Sequence, residues 1–218
     1  MRFEKKFIIS RNIFNIVNSF LFTNLFATSF PDRQITSVYY DDKDFGLFHE
    51  SLEGISNRKK VRVRFYDDNI NDAVIENKIK IAETGYKKIY KLKNNISSER
   101  LVDFEYNSDH EKKINLSIPY LLEDLYMPVL LVNYKRYYFE NNEGIRVTLD
   151  LDIRFSRLFK DQSPNLSPYY VPFDFGVIEI KYDNKNIYEP KIISLLSSEF
   201  NLIQTSCSKY TLGLKNFL

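Results

Sequence analysis

Tryptophan is absent from this 218-residue chain, cysteine occurs once, at Cys207, and histidine twice, at His49 and His110. A single cysteine excludes an intramolecular disulfide. With the two histidines far apart there is no zinc-ligand spacing and little from which to build a Ser-His-Asp or Cys-His triad. Such sparing use of cysteine points to a reducing, cytoplasmic setting. Long runs of one charge are missing too: Lys and Arg number 31 against 29 Asp and Glu, for a formal charge of only +2. The chain is therefore not basic overall and has no nucleic-acid-binding tail, so any anion binding must come from local arrangement. Nor is there an apolar run long enough to span a membrane. Ile13 to Ala27 follows a cationic start and is rich in Phe, Ile and Leu, but Asn15, Asn18, Ser19, Thr23 and Asn24 interrupt it and Glu4 lies in what would be a signal peptide's basic region. The segment reads instead as a helix, with Ser10 as N-cap and Phe14, Val17, Phe20, Leu21 and Leu25 on one stripe, laid against the outer surface of a sheet.

What the chain does have is alternation. In Lys60-Val61-Arg62-Val63-Arg64-Phe65-Tyr66 the cations Lys60, Arg62 and Arg64 fall on one face of a strand and Val61, Val63 and Phe65 on the other. The same period of two recurs in residues 2–7, 76–81, 134–137, 146–151 and 179–182. An ordinary antiparallel sheet turns such a face to water. Mixed charge in many strands, with arginines at tight spacing, makes a closed barrel with a polar, cation-lined interior the competing reading, and the guest of such an interior is a polyanion.

The remaining elements are read from their punctuation. Ile35 to Asp41 is a strand, followed by a short connecting segment from Lys43 to Gly54 bounded by Gly46 and Gly54. The basic strand from about Lys59 and a strand from about Ala73 form a hairpin around a polar loop, Asp67 to Asp72. Gly85 introduces another basic strand, Tyr86 to Leu92. Ser97 or Ser98 caps a helix to about Tyr106, and Pro119 opens a second through Tyr126. Met127 to Phe139 and Gly144 to Phe155 make a hairpin, Phe159 to Pro172 is a loop, Phe175 to Tyr182 a strand and Pro190 to Phe200 a helix. The expectation is one domain, residues 1–218, of the α+β class: an antiparallel β-barrel with helices packed on the outside.

The ordered set Arg2-x-Glu4-x-Lys6, Ser37-Val38-Tyr39-Tyr40-Asp41, Lys60-x-Arg62-x-Arg64-x-Tyr66, Glu76-x-Lys78, Tyr134-x-Arg136, Arg146-x-Thr148-x-Asp150, Glu179-x-Lys181 and Ser208-Lys209-Tyr210 resembles the VTC domain. That is the polyphosphate polymerase module of the vacuolar transporter chaperone complex, within the CYTH or triphosphate tunnel metalloenzyme group. The resemblance spans nearly the whole chain. It implies a triphosphate tunnel in which the terminal phosphoryl group of ATP passes to polyphosphate, or to water in a triphosphatase, or in which polyphosphate is only bound. It implies Lys6, Arg62, Arg64, Lys78, Arg136 and Arg146 as phosphate contacts, with Lys87, Tyr134, Lys181, Ser208 and Lys209 joining them. Arg62, Arg64, Lys78, Arg136, Arg146 and Glu179 would carry the catalysis. Guanidinium forks grip phosphate oxygens bidentately and lysines act as point charges. Glu179 matches the family's ligand for Mn²⁺ or Mg²⁺, with Glu4 and Glu76 as second choices that could equally be ion-pair partners of the cations. The family's eukaryotic polymerases carry a phosphate-sensing SPX domain and membrane helices; this sequence contains neither, and its ATP, triphosphate or polyphosphate partners are expected without a membrane segment. RNA is the weaker partner class, because the 16 Tyr and 18 Phe fall mostly on apolar strand faces and helices, where core packing explains them.

Overall fold

The computed structural model describes residues 2–82, 84–91, 126–158, 170–183 and 190–218. The helices expected at residues 97–106 and 119–126 and most of the loop expected at residues 159–172 lie outside them. Nine strands and four α-helices are described, in the order β1 (Arg2–Ser10), α1 (Phe14–Thr23), β2 (Ala27–Asp41), α2 (Gly46–Glu53), β3 (Arg58–Tyr66), β4 (Asn69–Ile81), β5 (Thr84–Lys91), β6 (Met127–Glu140), β7 (Arg146–Arg157), β8 (Val171–Pro172), β9 (Phe175–Asp183), α3 (Lys191–Phe200) and α4 (Lys209–Lys215). Among these residues no helix is long and apolar enough to cross a membrane. The chain divides into two compact units.

The first unit comprises residues 1–34, 134–154 and 172–208, and its strands run in the order β1-β9-β7-β6-β2. Antiparallel register sets Lys6 opposite Glu179 and Glu4 opposite Lys181, and then Lys181 opposite Arg146 and Glu179 opposite Thr148. The alternate residues Phe7, Ile9, Val147, Leu149, Ile178 and Ile180 turn the other way, where they form a core with Val17 and Leu21 of α1 and Ile192, Ile193 and Leu196 of α3. Helices thus cover the apolar face, and the charged groups are left on its opposite.

The α1 region departs from expectation at both ends. A 3-10 turn over Arg11–Ile13 precedes the helix, and Ser10 makes no side-chain capping bond. At the other end Phe26 N–H donates to the Leu21 carbonyl and Leu25 N–H to that of Phe22, the paired bonds of a Schellman stop, with Leu25 in the left-handed region at φ 64°. Leu25 therefore leaves the apolar stripe and stands 83% exposed, and β2 begins at Ala27, well before the strand expected from Ile35.

The second unit comprises residues 35–133, 155–171 and 209–218. Its strands run β6-β2-β3-β4-β5, with Ser37 opposite Arg64, Tyr39 opposite Arg62, Arg62 opposite Glu76 and Lys60 opposite Lys78. Val38, Tyr40, Val61, Val63, Phe65, Ala73 and Ile75 turn to a separate core that includes Leu47 of α2. The β3–β4 connection is tighter than the sequence suggests. Asp67 and Asp68 both take positive φ, a two-residue turn whose twist matches the strands, so β4 starts at Asn69 rather than Ala73.

The segment expected as a connection is the helix α2, and two carboxylates start it. Asp41 accepts from the backbone N–H groups of Asp42, Leu47 and Phe48, while Asp42 accepts from those of Asp44 and Gly46. A side chain at Gly46 would meet Asp42 Oδ2 at 2.5 Å, so a Cβ there would push the capping carboxylate aside. The short C-terminal helix α4, not anticipated from the sequence, brings Tyr210 onto Tyr39 with ring centroids 5.0 Å apart and 18° between planes. The Tyr210 hydroxyl donates to buried Asp41. Burial raises the Asp41 carboxyl above its ordinary value against these hydrogen bonds, and burial together with Asp41 raises the Tyr210 phenol.

Candidate functional site

Each unit gathers its charged strand face into a cluster. In the second unit Glu76 is the centre. Its carboxylate receives Nε of Arg62 at 2.6 Å, with Arg62 Nη2 and Lys87 Nζ in direct contact and Arg64 Nη1 at 3.8 Å. Burial opposes the charge on Glu76, but Arg62, Arg64 and Lys87 prevail and lower its carboxyl to about 2. The other side of the Arg62 guanidinium is also held, because Nη1 donates to the Tyr39 hydroxyl at 3.1 Å. Arg64, itself buried, donates from Nε to Ser37 Oγ at 3.3 Å. Both arginine planes are thereby fixed before any ligand arrives, which is what bidentate recognition of phosphate needs.

Tyr39 and Ser37 are members of this cluster that were not among the expected contacts, and Tyr39 is the one whose ionisation is altered. Burial would raise its phenol, yet Arg62, Arg64 and Lys209 bring it below its ordinary value. The place of Tyr39 follows from the β2–β3 register, which sets it opposite Arg62, and the alternation of Ser37, Tyr39 and Asp41 was the available signal. Lys209, the first residue of α4, is near enough to act on Tyr39, and Ser208 is half-buried just before that helix. Lys78 lies on the same face, exposed, between Lys60 and Lys87 in register.

The first unit's cluster mixes the signs more evenly. Lys6 Nζ is 2.7 Å from Glu4 and 3.9 Å from Glu179, and Lys181 contacts Glu179 with Glu4 at 3.9 Å. Two lysines and two carboxylates thus share one place. Arg136 holds Asp150 by a fork, Nε to Oδ1 at 2.5 Å and Nη2 to Oδ2 at 2.7 Å, and its Cζ lies 5.4 Å from the centroid of the buried Tyr134 ring. Burial works against charge here as well. Nevertheless Lys6, Lys181 and Arg136 keep Glu179 well below the carboxylate range, while Glu179 and Glu4 keep Lys6 above the usual lysine value. Arg146 is half-buried opposite Lys181. Thr148, opposite Glu179, buries its hydroxyl oxygen with no hydrogen-bond partner among the described residues, an orphan of the kind a ligand or ion satisfies.

The expected residues therefore fall into two groups. Glu4, Lys6, Tyr134, Arg136, Arg146, Glu179 and Lys181 belong to one unit with Ser208 at its end, and Arg62, Arg64, Glu76, Lys78, Lys87 and Lys209 belong to the other. Among the described residues no group of three or more His, Cys, Asp and Glu side chains forms a metal cluster.

An antiparallel α+β fold that buries one strand face under helices and collects arginine, lysine and carboxylate groups on the other is the fold of the triphosphate tunnel class. Two solved structures share it over almost their full lengths. One is the PH1819 protein of Pyrococcus horikoshii OT3, at 14% identity and a TM-score of 0.54, covering 98% of this chain and 99% of that one. The other is a candidate adenylyl cyclase from Hippeastrum, HpAC1, described as having a dominant triphosphatase activity, at 14% identity and a TM-score of 0.53, with coverages of 99% and 96%. No curated protein matches the chain in sequence. The VTC domain family matches residues 1–218, and the chain belongs to that family.

Proposed function

We propose that residues 1–218 act as one metal-dependent phosphoryl-transfer domain that lengthens polyphosphate with the terminal phosphoryl group of ATP. The observation that carries this reading is the grip on Arg62: Glu76 and Tyr39 hold its guanidinium from two sides, with Arg64 and Lys87 beside it. Three cations around one carboxylate leave surplus positive charge for an anion, and the arginine forks match phosphate oxygens. In the transfer the bond between the γ-phosphorus and its bridging oxygen breaks, a bond to the terminal oxygen of the chain forms, and ADP leaves. No covalent protein residue is needed when donor and acceptor are held in line and the developing charge is neutralised. The cations that the family resemblance marks as phosphate contacts, Lys6, Arg62, Arg64, Lys78, Lys87, Arg136, Arg146, Lys181 and Lys209, would supply that neutralisation. The hydroxyls of Tyr134 and Ser208 complete the set of phosphate contacts.

The oxygen donors fit Mg²⁺ or Mn²⁺. Glu179 and Glu4 lie together, and the unsatisfied Thr148 hydroxyl stands opposite Glu179, a hard-oxygen set. Glu76, enclosed by three cations, suits ion pairing better than a metal. When bound, the ion would supply Lewis-acid neutralisation of phosphate oxygens. Until then Lys6 and Lys181 balance the two carboxylates.

Hydrolysis is the second reading, favoured by the triphosphatase activity given for the Hippeastrum neighbour. Water then takes the place of the polyphosphate oxygen and free phosphate is released. Incubating the purified protein with ATP and Mn²⁺ or Mg²⁺, and measuring polyphosphate and free phosphate separately, decides between them. Polyphosphate is the expected product, phosphate alone assigns the triphosphatase, and neither product with retained polyphosphate binding leaves a binding module and overturns catalysis.

A further inference from the structure

The charged face of the first unit changes character along β9. Gly176 and Ile178 turn to the helix-covered side, where a Cβ on Gly176 would meet Leu151 and Ile9 of that core, so Phe175, Val177, Glu179 and Lys181 share the opposite face. In register, Lys181 lies between Glu4 and Arg146, and Glu179 between Lys6 and Thr148. The next two rows differ. Val177 lies between Ile8 and Asp150, the partner of Arg136, and Phe175 lies opposite Ser10. Neither β1 nor β9 supplies a lysine or arginine to them. Val177 is buried and Ile8 half-buried, while Phe175 is 46% exposed. The half-buried Phe173 ring stands 5.5 Å from that of Phe175, with 56° between planes. Phe173 N–H donates to the Ile153 carbonyl at 2.8 Å, so both rings stand on backbone tied to a neighbouring strand.

Polarity and length together indicate the ligand. A single exposed phenylalanine needs no explanation, but two rings that continue the strand face of Lys6, Glu179 and Lys181 suit a molecule with a polyanionic end and a flat apolar end. Same-face residues repeat about every 7 Å along a strand, which puts the Phe175 row about 14 Å beyond the Glu179 row. An extended nucleoside triphosphate reaches that far from its γ-phosphorus to its base. Inorganic polyphosphate has nothing to set against phenyl rings. Nor do the neighbouring charges invite more phosphate, since Asp174 adjoins Phe175 and Arg11, next to Ser10, is paired with Asp152 at 2.8 Å. A nucleobase, by contrast, stacks on an aromatic face whatever its identity.

We infer that Phe175, with Phe173 and Ile8, forms a nucleobase subsite that receives the base of the nucleoside triphosphate donor while its phosphates lie on the Lys6, Glu179 and Lys181 cluster. The site thereby prefers a nucleoside triphosphate to inorganic triphosphate. This rests on the reading of that cluster as a phosphate and metal site. The test titrates the full chain and its Phe175→Ala and Phe175→Tyr variants calorimetrically, in Mg²⁺, with the β,γ-imido analogue of ATP and with tripolyphosphate. Phe175→Ala is expected to lose about tenfold in affinity for the nucleotide, the size of one lost base stack, and less than about twofold for tripolyphosphate. Phe175→Tyr keeps a ring and should stay within about twofold of the wild type for both. The chain has no tryptophan, so Phe175→Trp introduces a single indole. Its fluorescence should be quenched by the nucleotide and unmoved by tripolyphosphate. Unchanged nucleotide affinity in Phe175→Ala would make the rings ordinary surface. Equal weakening of both ligands would make Phe175 structural, and an altered oligomeric state with unchanged nucleotide affinity would assign the rings to contact between copies. Each of these outcomes overturns the inference, as does equal quenching by both ligands. Failure of the wild type to bind tripolyphosphate at all would instead bring down the phosphate reading of the cluster, and this inference with it.

Discussion

Replacing Glu76 by Gln should destabilise the free protein and strengthen its hold on phosphate at the same time. A carboxyl held at about 2 instead of its ordinary 4.5 has its ionised form favoured by about 3 kcal/mol in the folded state. Glutamine keeps the shape but forfeits that term and leaves Arg62, Arg64 and Lys87 repelling one another. At pH 7 the variant should lose about 3 kcal/mol in urea unfolding, or about 6–12 °C in melting temperature for a chain of this size. The sign with pH follows from a depressed carboxyl: its stabilisation is complete above the ordinary carboxylate range and disappears as pH falls through about 2. The gap between wild type and variant should therefore narrow from about pH 4.5 downward and close near pH 2. Tripolyphosphate should reverse the order of affinity, because the ligand supplies the negative charge that the variant lacks, and calorimetric titration reads this directly. Equal stability at pH 7, a gap that persists undiminished at pH 2.5, or weaker tripolyphosphate binding by the variant would each refute the account of Glu76 as the counter-charge of a phosphate site.

Two further substitutions probe the first unit. Glu179→Gln should abolish Mn²⁺- or Mg²⁺-dependent ATP consumption while tripolyphosphate still binds, at least as tightly as before, because a negative charge is gone from beside Lys6 and Lys181; undiminished turnover would remove Glu179 from the metal site. Gly176→Ala should cost about 1–3 kcal/mol in urea unfolding, since the new Cβ would meet Leu151 Cδ2 at 2.6 Å and the unyielding Asp150 carbonyl at 2.9 Å; a wild-type unfolding curve would contradict that approach of β9 to β7.

The strands were readable because their signal is local. A period of two in Lys60 to Phe65 states which residues share a face without reference to any other part of the chain, and the structure puts Val61, Val63 and Phe65 in a core and Arg62 and Arg64 opposite it. The partners were harder to read, because they are set by register across long separations. Nothing near Lys6 announces Glu179, and nothing near Tyr39 announces that its hydroxyl will lie against Arg62. The helix α2 was missed for another reason. Its start is capped by Asp41 and Asp42 from four to seven residues upstream, outside the usual three-residue box. In α4 it is tertiary contact that matters, since Gly213 admits Phe155 and Leu130 so closely that a Cβ there would meet them at 2.6 and 2.7 Å, and no local pattern contains that fact.

The pairing of β1 with β9, Arg2 beside Asp183 and Ser10 beside Phe175, sets an order of events in the life of the chain. β3, β4 and β5 follow one another through short turns, so Arg62, Glu76 and Lys87 can assemble as soon as one stretch of sequence has emerged from the ribosome. Lys6 must wait for Glu179, with most of the chain still to be synthesised and a large loop to close. Until then β1 offers an unpaired edge to whatever is nearby. β1 is thus synthesised long before its partner β9, and the carboxylates proposed for the metal, Glu4 and Glu179, come together only when the two strands pair.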